Sequence, residues 1–382
     1  MQTVSVKGSV LSGFHFYRFY FANIGKTVIS LFFQGTILQP YNMIFTNRYV
    51  LAIIILLLIG GAAFLFNKSK DPKSVIGRRK YRTLEKDTSY SSPNTQDVYQ
   101  LSSYGDSLFV LTKNMGMLID SNLKQESKVF DQNPQGRFSY HDGSRYEAAT
   151  FDAKAGILRV SSWRGPQEYK TYSTTRNALY MGGDFYFDYV STDSEGNQIA
   201  EIRAWSSSSG RVRTVAYLSD LLWSYIDRKQ GCMSSQLEGN FFAIDHETWG
   251  YVFYHGSFIV FGNEGTVQIG NSIFNKGFVS YTAKPAYRGG TTGLECKARN
   301  ESRYYYDAYF HEGKLYALSG VAGKPGHADI DVYNGEKFKY LYTLTTPLKT
   351  ENSYARTMEF VGNSLYLASN DGEIIKFSKF EQ

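Results

Sequence analysis

From Asp97 onward the chain alternates apolar and polar residues in short runs broken by Gly, Asn, Asp and Ser. That period of two specifies strands half buried on one face. No amphipathic helix interrupts it; Leu218–Ile226 comes nearest and is short. One unit recurs: a strand, a turn carrying Gly, then a strand rich in Leu, Tyr, Val and Ala. It is clean in GDSLFVL from Gly105, GKLYAL from Gly313 and GNSLYLA from Gly362, and degenerate at Ala155, Gly183 and Gly250. A period of roughly 40–50 residues with three or four strands per unit is the signature of a β-propeller.

The chain divides into six such units: Asp97–Asp131, Phe138–Ser173, Ala178–Leu222, Asn240–Asn275, Arg303–Pro347 and Tyr354–Phe380. The expected fold is therefore all-β, a six-bladed β-propeller over residues 97–382, with a pair of β-sandwiches as the competing fold. The last unit holds three strands. Closing the ring requires a fourth from upstream, near Tyr81–Leu84 or Asp97–Leu101. Lys276–Asn300 breaks the pattern, is Gly-rich, and is expected as a surface loop on one rim.

Upstream the pattern changes. Tyr49–Phe66 reads YVLAIIILLLIGGAAFLF, with no charge and no polar stripe. It is long enough to cross a hydrocarbon core of roughly 30 Å, which predicts a single N-terminal transmembrane helix over 49–66. Residues 1–48 precede it. MIFTNR from Met43 has the layout of a signal anchor, so the first 42 residues are expected to be an over-called start or a tail. Residues 67–96 are basic, then Ser/Thr/Asn-rich (DTSYSSPNTQ), and are expected as a linker. The basic run suits anionic lipid headgroups. By the positive-inside rule it places the large domain in the cytoplasm; a short tail before one span, and the indifference of long domains to charge, place it outside. The expectation leans to the extracytoplasmic, periplasmic side.

HEGKLYALSG followed by DIDVYNGEKFKYLYTL in the fifth unit resembles a blade of the six-bladed, TolB-like or NHL-like propellers common in Bacteroidota, and the sixth unit fits the same pattern. The resemblance implies a propeller. Such folds serve as binding modules and scaffolds and, in a minority, as hydrolases or lyases.

Candidate chemistry is sparse. The net charge of +6 is modest, and no basic, aromatic-interleaved surface suggests a nucleic-acid partner. Cys232 and Cys296 form no CxxC; one structural disulfide and two unrelated thiols both remain open. His327, Asp329 and Asp331 alternate along one strand and so share a face. A divalent cation would suit them, as would a polar strand face with no ligand. Asp245 and Glu247 could pair as carboxylates but have no partner base, and His311 with Glu312 reads as a surface turn. Trp163, Trp205, Trp223 and Trp249 recur about once per unit, which favours packing between blades. Tyr304, Tyr305 and Tyr306 could anchor a ligand or fill interblade space. Beside them, Arg288, Lys297 and Arg299 suit an acidic or carbonyl-rich partner. No G-x-S-x-G, HExxH or phosphate loop is present, so no catalytic residue and no cofactor is expected. The expected function is a membrane-tethered propeller acting as a binding or scaffold module for a protein or glycan partner. The alternatives are a metal-dependent hydrolase or lyase in the propeller channel, and the sensor ectodomain of a larger assembly.

Overall fold

The computed structural model describes residues 78–378 apart from 113–114, 125, 132–146, 153–156, 163–164, 171–177, 182–183, 207, 227–231, 264, 271, 275–276, 289–290 and 299–302. All of these lie in the compact unit from Leu65 to Gln382. The expected membrane span at 49–66 and the segment before it lie outside the described residues. Among the described residues no helix is long and apolar enough to cross a membrane.

Two short strands come first, β1 (Tyr81–Thr83) and β2 (Thr88–Ser91). The first sheet follows: β3 (Val98–Tyr104), β4 (Ser107–Thr112), β5 (Met115–Asp120) and β6 (Glu126–Asp131). The second holds β7 (Glu147–Asp152), β8 (Ile157–Ser162) and β9 (Gly165–Lys170). The third is β10 (Ala178–Met181), β11 (Asp184–Thr192), β12 (Gln198–Ser206) and β13 (Val212–Tyr217), followed by two short helices, α1 (Leu218–Leu221) and α2 (Met233–Gln236). The fourth is β14 (Gly239–Ala243), β15 (Trp249–Phe253), β16 (Ile259–Asn263) and β17 (Thr266–Gly270). A separate hairpin, β18 (Tyr281–Arg288) with β19 (Thr291–Ala298), precedes the fifth sheet: β20 (Tyr305–His311), β21 (Lys314–Ser319), β22 (His327–Asn334) and β23 (Tyr340–Pro347). The sixth is β24 (Ala355–Val361), β25 (Ser364–Ser369) and β26 (Glu373–Phe377). Apart from β1 and β2, each of the six sheets is an antiparallel meander that falls in one of the six units read from the sequence, β14 beginning one residue before its unit. The first strands of neighbouring sheets lie side by side, β10 by β14, β14 by β20, β20 by β24 and β24 by β3, as the inner strands of a β-propeller do.

The core explains the repeat. One cluster joins the third and fourth sheets, with Ile202 and Ala204 against Tyr251 and Phe253. The next joins the fourth and fifth through Val252, Ile259, Leu315 and Ala317. The third joins the fifth and sixth through Leu318, Ile330, Leu365 and Leu367, and the fourth joins the sixth back to the first through Tyr366, Ala368, Val98 and Val110. Successive residues on a strand thus serve opposite neighbours. That is why these strands read as nearly continuous apolar runs. Each large side chain so buried contributes about 1.5–3 kcal/mol.

The sixth sheet is completed by a strand from upstream, though not at the positions expected. β2 pairs antiparallel with β26 and completes the sixth sheet. β1 pairs parallel with β23 and extends the fifth. Residues 78–96 therefore belong to the propeller and not to a linker. Their polar composition misled because edge strands are held by backbone hydrogen bonds more than by apolar burial. Lys276–Asn300 is likewise not an irregular loop. Its core is the hairpin of β18 and β19, paired from Tyr281 with Ala298 to Arg288 with Thr291. The Gly-Gly dipeptide between two alternating runs was the signal for it.

The two cysteines are joined: Cys232 and Cys296 form a disulfide across 64 residues, tying β19 to the turn that opens α2. Trp205 and Trp249 are buried as interblade packing requires, whereas Trp223 stands 63% exposed beside α1. Trp163 lies outside the described residues.

Candidate functional site

Asp329 and Asp331 do share a face of β22, and both are buried. The cation opposite them belongs to the chain itself. Arg79 donates through Nε and Nη2 to the two oxygens of Asp331 at 3.0 and 2.8 Å, and through Nη1 to Asp329 at 3.0 Å. Its Nη2 also donates to Ser319 Oγ at 2.6 Å, and its Nη1 to the Val321 carbonyl. The remaining lone pairs are taken as well. Thr343 Oγ1 donates to Asp331 at 2.6 Å; Thr345 Oγ1 and the Gly323 amide donate to Asp329, both at 2.7 Å. Burial by itself would lower the Arg79 pKa, but the charges and hydrogen bonds of Asp331 and Asp329 outweigh it and hold the guanidinium above its ordinary range. His327 is not part of this cluster; its Nδ1 lies 3.1 Å from the Pro325 carbonyl. Among the described residues no group of His, Cys, Asp and Glu has the arrangement of a metal site.

The three tyrosines separate. Tyr304 and Tyr305 are buried against Phe274, with ring centroids at 5.0 and 5.4 Å. The Tyr305 hydroxyl is satisfied by Ser272 and Tyr333 at 2.7 and 3.0 Å. Tyr306 alone reaches the surface, where it stacks on Tyr354 of the next sheet at 5.5 Å and 21°. Lys297 is exposed on β19, Arg288 ends β18, and Arg299 lies outside the described residues.

The two ends of the strands differ. At one end the inner strand turns tightly into the second, at Gly105, Gly313 and Gly362, each with positive φ (57°, 73° and 56°). These are the three clean repeats, on this hairpin rim. Asp245 and Glu247 sit there in a turn in which Asp245 accepts the amides of Glu247 and Thr248. At the other end lie the described residues of the long connections 92–97, 218–238, 271–304, 320–326 and 348–354. The disulfide, α1, α2 and the hairpin are all on this long-loop rim.

Across that rim runs a ladder of rings and guanidinium groups. Arg303 lies over the ring of Tyr254 at 5.0 Å and over that of Tyr306 at 5.4 Å. Tyr306 stacks on Tyr354, which in turn carries Arg356 at 5.6 Å, with a hydrogen bond of 3.2 Å from Arg356 to the Tyr354 hydroxyl. Arg356 reaches Asp97 at 3.7 Å. The ladder thus passes from the fourth sheet to the first. Asn240 locks its start, donating to the Tyr306 carbonyl at 2.7 Å and accepting from the Tyr254 hydroxyl at 2.8 Å. Tyr99, Tyr217, Trp223 and Tyr225 add exposed aromatic surface at the same end. Sequence reasoning found Tyr306 and missed Tyr254, Arg303, Tyr354 and Arg356. They come from three different units, one each from the fourth and fifth and two from the sixth, and only the fold brings them together.

Beneath the ladder, carboxylates tie the inner strands. Asp307 on β20 accepts from Thr357 Oγ1 at 2.6 Å and from the Met358 amide at 3.0 Å, both on β24. Glu359 on β24 is buried and accepts the Phe360 amide at 3.1 Å. Burial raises its pKa well above the usual carboxylate range, against the Tyr309 hydrogen bond that lowers it. The Asp307 contacts hold blade to blade.

No protein-family model matches the sequence, and no curated protein matches it. Solved structures similar to this chain include a streptogramin B lyase (TM-score 0.43, 11% identity, covering 76% of this chain and 96% of that one). A regucalcin described as a calcium-binding protein, from Agrobacterium tumefaciens, is similar at TM-score 0.45 and 7% identity, covering 78% and 95%. BamB from Moraxella catarrhalis is similar at 0.38 and 10%, covering 78% and 98%. At these identities the likeness is one of propeller outline and carries nothing about what this chain binds.

Proposed function

We propose that this chain is a membrane-tethered, six-bladed propeller that acts as a binding or scaffold module, and that it recognises a protein partner on the long-loop rim. The observation that carries the reading is the half-exposed stack of Tyr306 on Tyr354, flanked by Arg303 and Arg356. Tyr, Trp and Arg dominate the energetics of protein interfaces, and here they gather at one end of a scaffold whose other end is tight turns. The tether is the apolar run Tyr49–Phe66. The Cys232–Cys296 disulfide supports an oxidising, extracytoplasmic location, since such bonds are rare in the cytosol.

Photo-crosslinking tests the reading. Benzoylphenylalanine is placed at Tyr99 or Tyr306 on the long-loop rim, and at Glu312 or Lys337 on the hairpin rim, in the full chain in its own membrane. Discrete adducts from the first pair alone are expected. Adducts from the second pair alone, or from neither, overturn it.

A further inference from the structure

We infer that the long-loop rim takes an extended acidic segment of a partner protein, with Arg303 as its principal carboxylate receptor; this rests on the reading above that this rim is the recognition surface.

Arg303 is a partly buried cation that makes no salt bridge among the described residues. Among the described residues no carboxylate or carbonyl accepts from its guanidinium; its contacts are the rings of Tyr254 and Tyr306. Aromatic rings take none of the strong hydrogen bonds a guanidinium can donate, so its N–H groups stay available, and their fork matches a carboxylate with two parallel hydrogen bonds. The group is held in place before any ligand arrives. Tyr254 and Tyr306 are both fixed by Asn240, and the backbone at Arg303 is fixed by its neighbours, with the Tyr304 amide donating to the Tyr254 carbonyl at 2.7 Å and the Gly320 amide donating to the Tyr304 carbonyl at 3.0 Å. Contrast Arg79, whose guanidinium is saturated by two carboxylates. The chain therefore shows what a structural arginine looks like here, and Arg303 is not one.

The charges around it agree. Arg356 continues the ladder with a single carboxylate, the exposed Asp97, at 3.7 Å, a distance loose enough for exchange. On the hairpin that precedes Arg303 in the chain, Lys284 and Lys297 are exposed, Lys284 opposite the exposed Glu295. Glu238 also lies near, since it and Arg303 act in opposite senses on the buried Tyr281 hydroxyl, which burial raises above its ordinary range. It lies in the connection that leads into β14. The rings between the cations offer contact surface to the apolar parts of a peptide, whereas a purely electrostatic site for a lipid headgroup would have no use for them.

The test uses the full chain in detergent and dye-labelled dodecapeptides, one alternating Glu and Ser, the other Gln and Ser, read by fluorescence anisotropy. An oligogalacturonate of similar charge and anionic vesicles serve as further probes. The Glu peptide is expected to bind, the Gln peptide not. Arg303→Gln should weaken binding at least about tenfold, the loss expected of a charged hydrogen-bond pair. Lys337→Gln with Lys339→Gln, on the hairpin rim, should leave it unchanged. Equal binding of the two peptides, an unchanged affinity in Arg303→Gln, or binding of the oligogalacturonate or vesicles in place of the peptide overturns the inference while leaving the rim intact as a recognition surface. Loss of binding in the lysine variant alone overturns both readings.

Discussion

Arg79 and Asp331 are 252 positions apart in sequence and share two hydrogen bonds, Nε and Nη2 each to one carboxylate oxygen, with neither side chain exposed to solvent. Through this pair the segment that follows the apolar run is locked into the fifth blade, and its Nη1 bond to Val321 fixes the loop beside Arg303. A buried ion pair adds little net stability over an apolar substitute, but removing one member leaves the other charged and unpaired. Arg79→Met is expected to cost about 3–5 kcal/mol. Arg79→Lys should fall between, since an ammonium keeps the charge and cannot fork. Thermal melting of the solubilised chain measures both; a variant Arg79→Met that melts with the wild type would remove the pair from the account of stability.

Closure makes a second prediction. Residues 67–382 should fold without the upstream segment, whereas residues 97–382 should not, because they lack β1, β2 and Arg79. Deleting residues 373–382 should be as damaging, since β26 lies between β25 and β2 and its loss strands both. Circular dichroism and melting of the three truncations decide this. A folded 97–382 fragment melting within a few degrees of 67–382 would show that the ring does not depend on its closing strands.

Glu359 gives a pH dependence of unusual sign. Its folded pKa is raised, so between the unfolded value of about 4.3 and that raised value the folded state binds the extra proton. Its contribution is full below the unfolded pKa and is lost as pH rises through the folded one. Denaturation curves of the wild type and Glu359→Gln, compared from pH 4 upward, should therefore diverge, with the wild type losing ground as pH rises. Parallel curves would mean that Glu359 is ionised in the fold.

The disulfide closes a loop of 64 residues. In the chain-entropy account such a loop is worth about 4 kcal/mol at most. Cys296→Ser should lower the melting temperature and free the hairpin of β18 and β19 while the six sheets stay paired. Reduction of the wild type should lower it by a similar amount and leave Cys296→Ser unmoved; a reductant effect of equal size on both would point to some other cause.

The repeat and the mostly β character were legible in the chain, because strands buried on both faces between two neighbours must read as alternating and continuous apolar runs. Gly105, Gly313 and Gly362 announce their turns without help from anything distant. What the chain alone did not disclose is everything that depends on which strand lies next to which. Arg79 reads as one more basic residue in a polar stretch until Asp329 and Asp331 are found opposite it. Those two carboxylates read as metal ligands or as a polar strand face until Arg79 is found between them. The closing strand β2 has too little apolar content to declare itself, since its stability comes from the open edge of β26. Tyr254, Arg303, Tyr354 and Arg356 carry no common spacing, because a rim gathers one or two residues from each blade and the sequence separates them by the length of a blade. Local periodicity is set by the backbone within a few residues, and a surface assembled around a ring is set only when the ring closes.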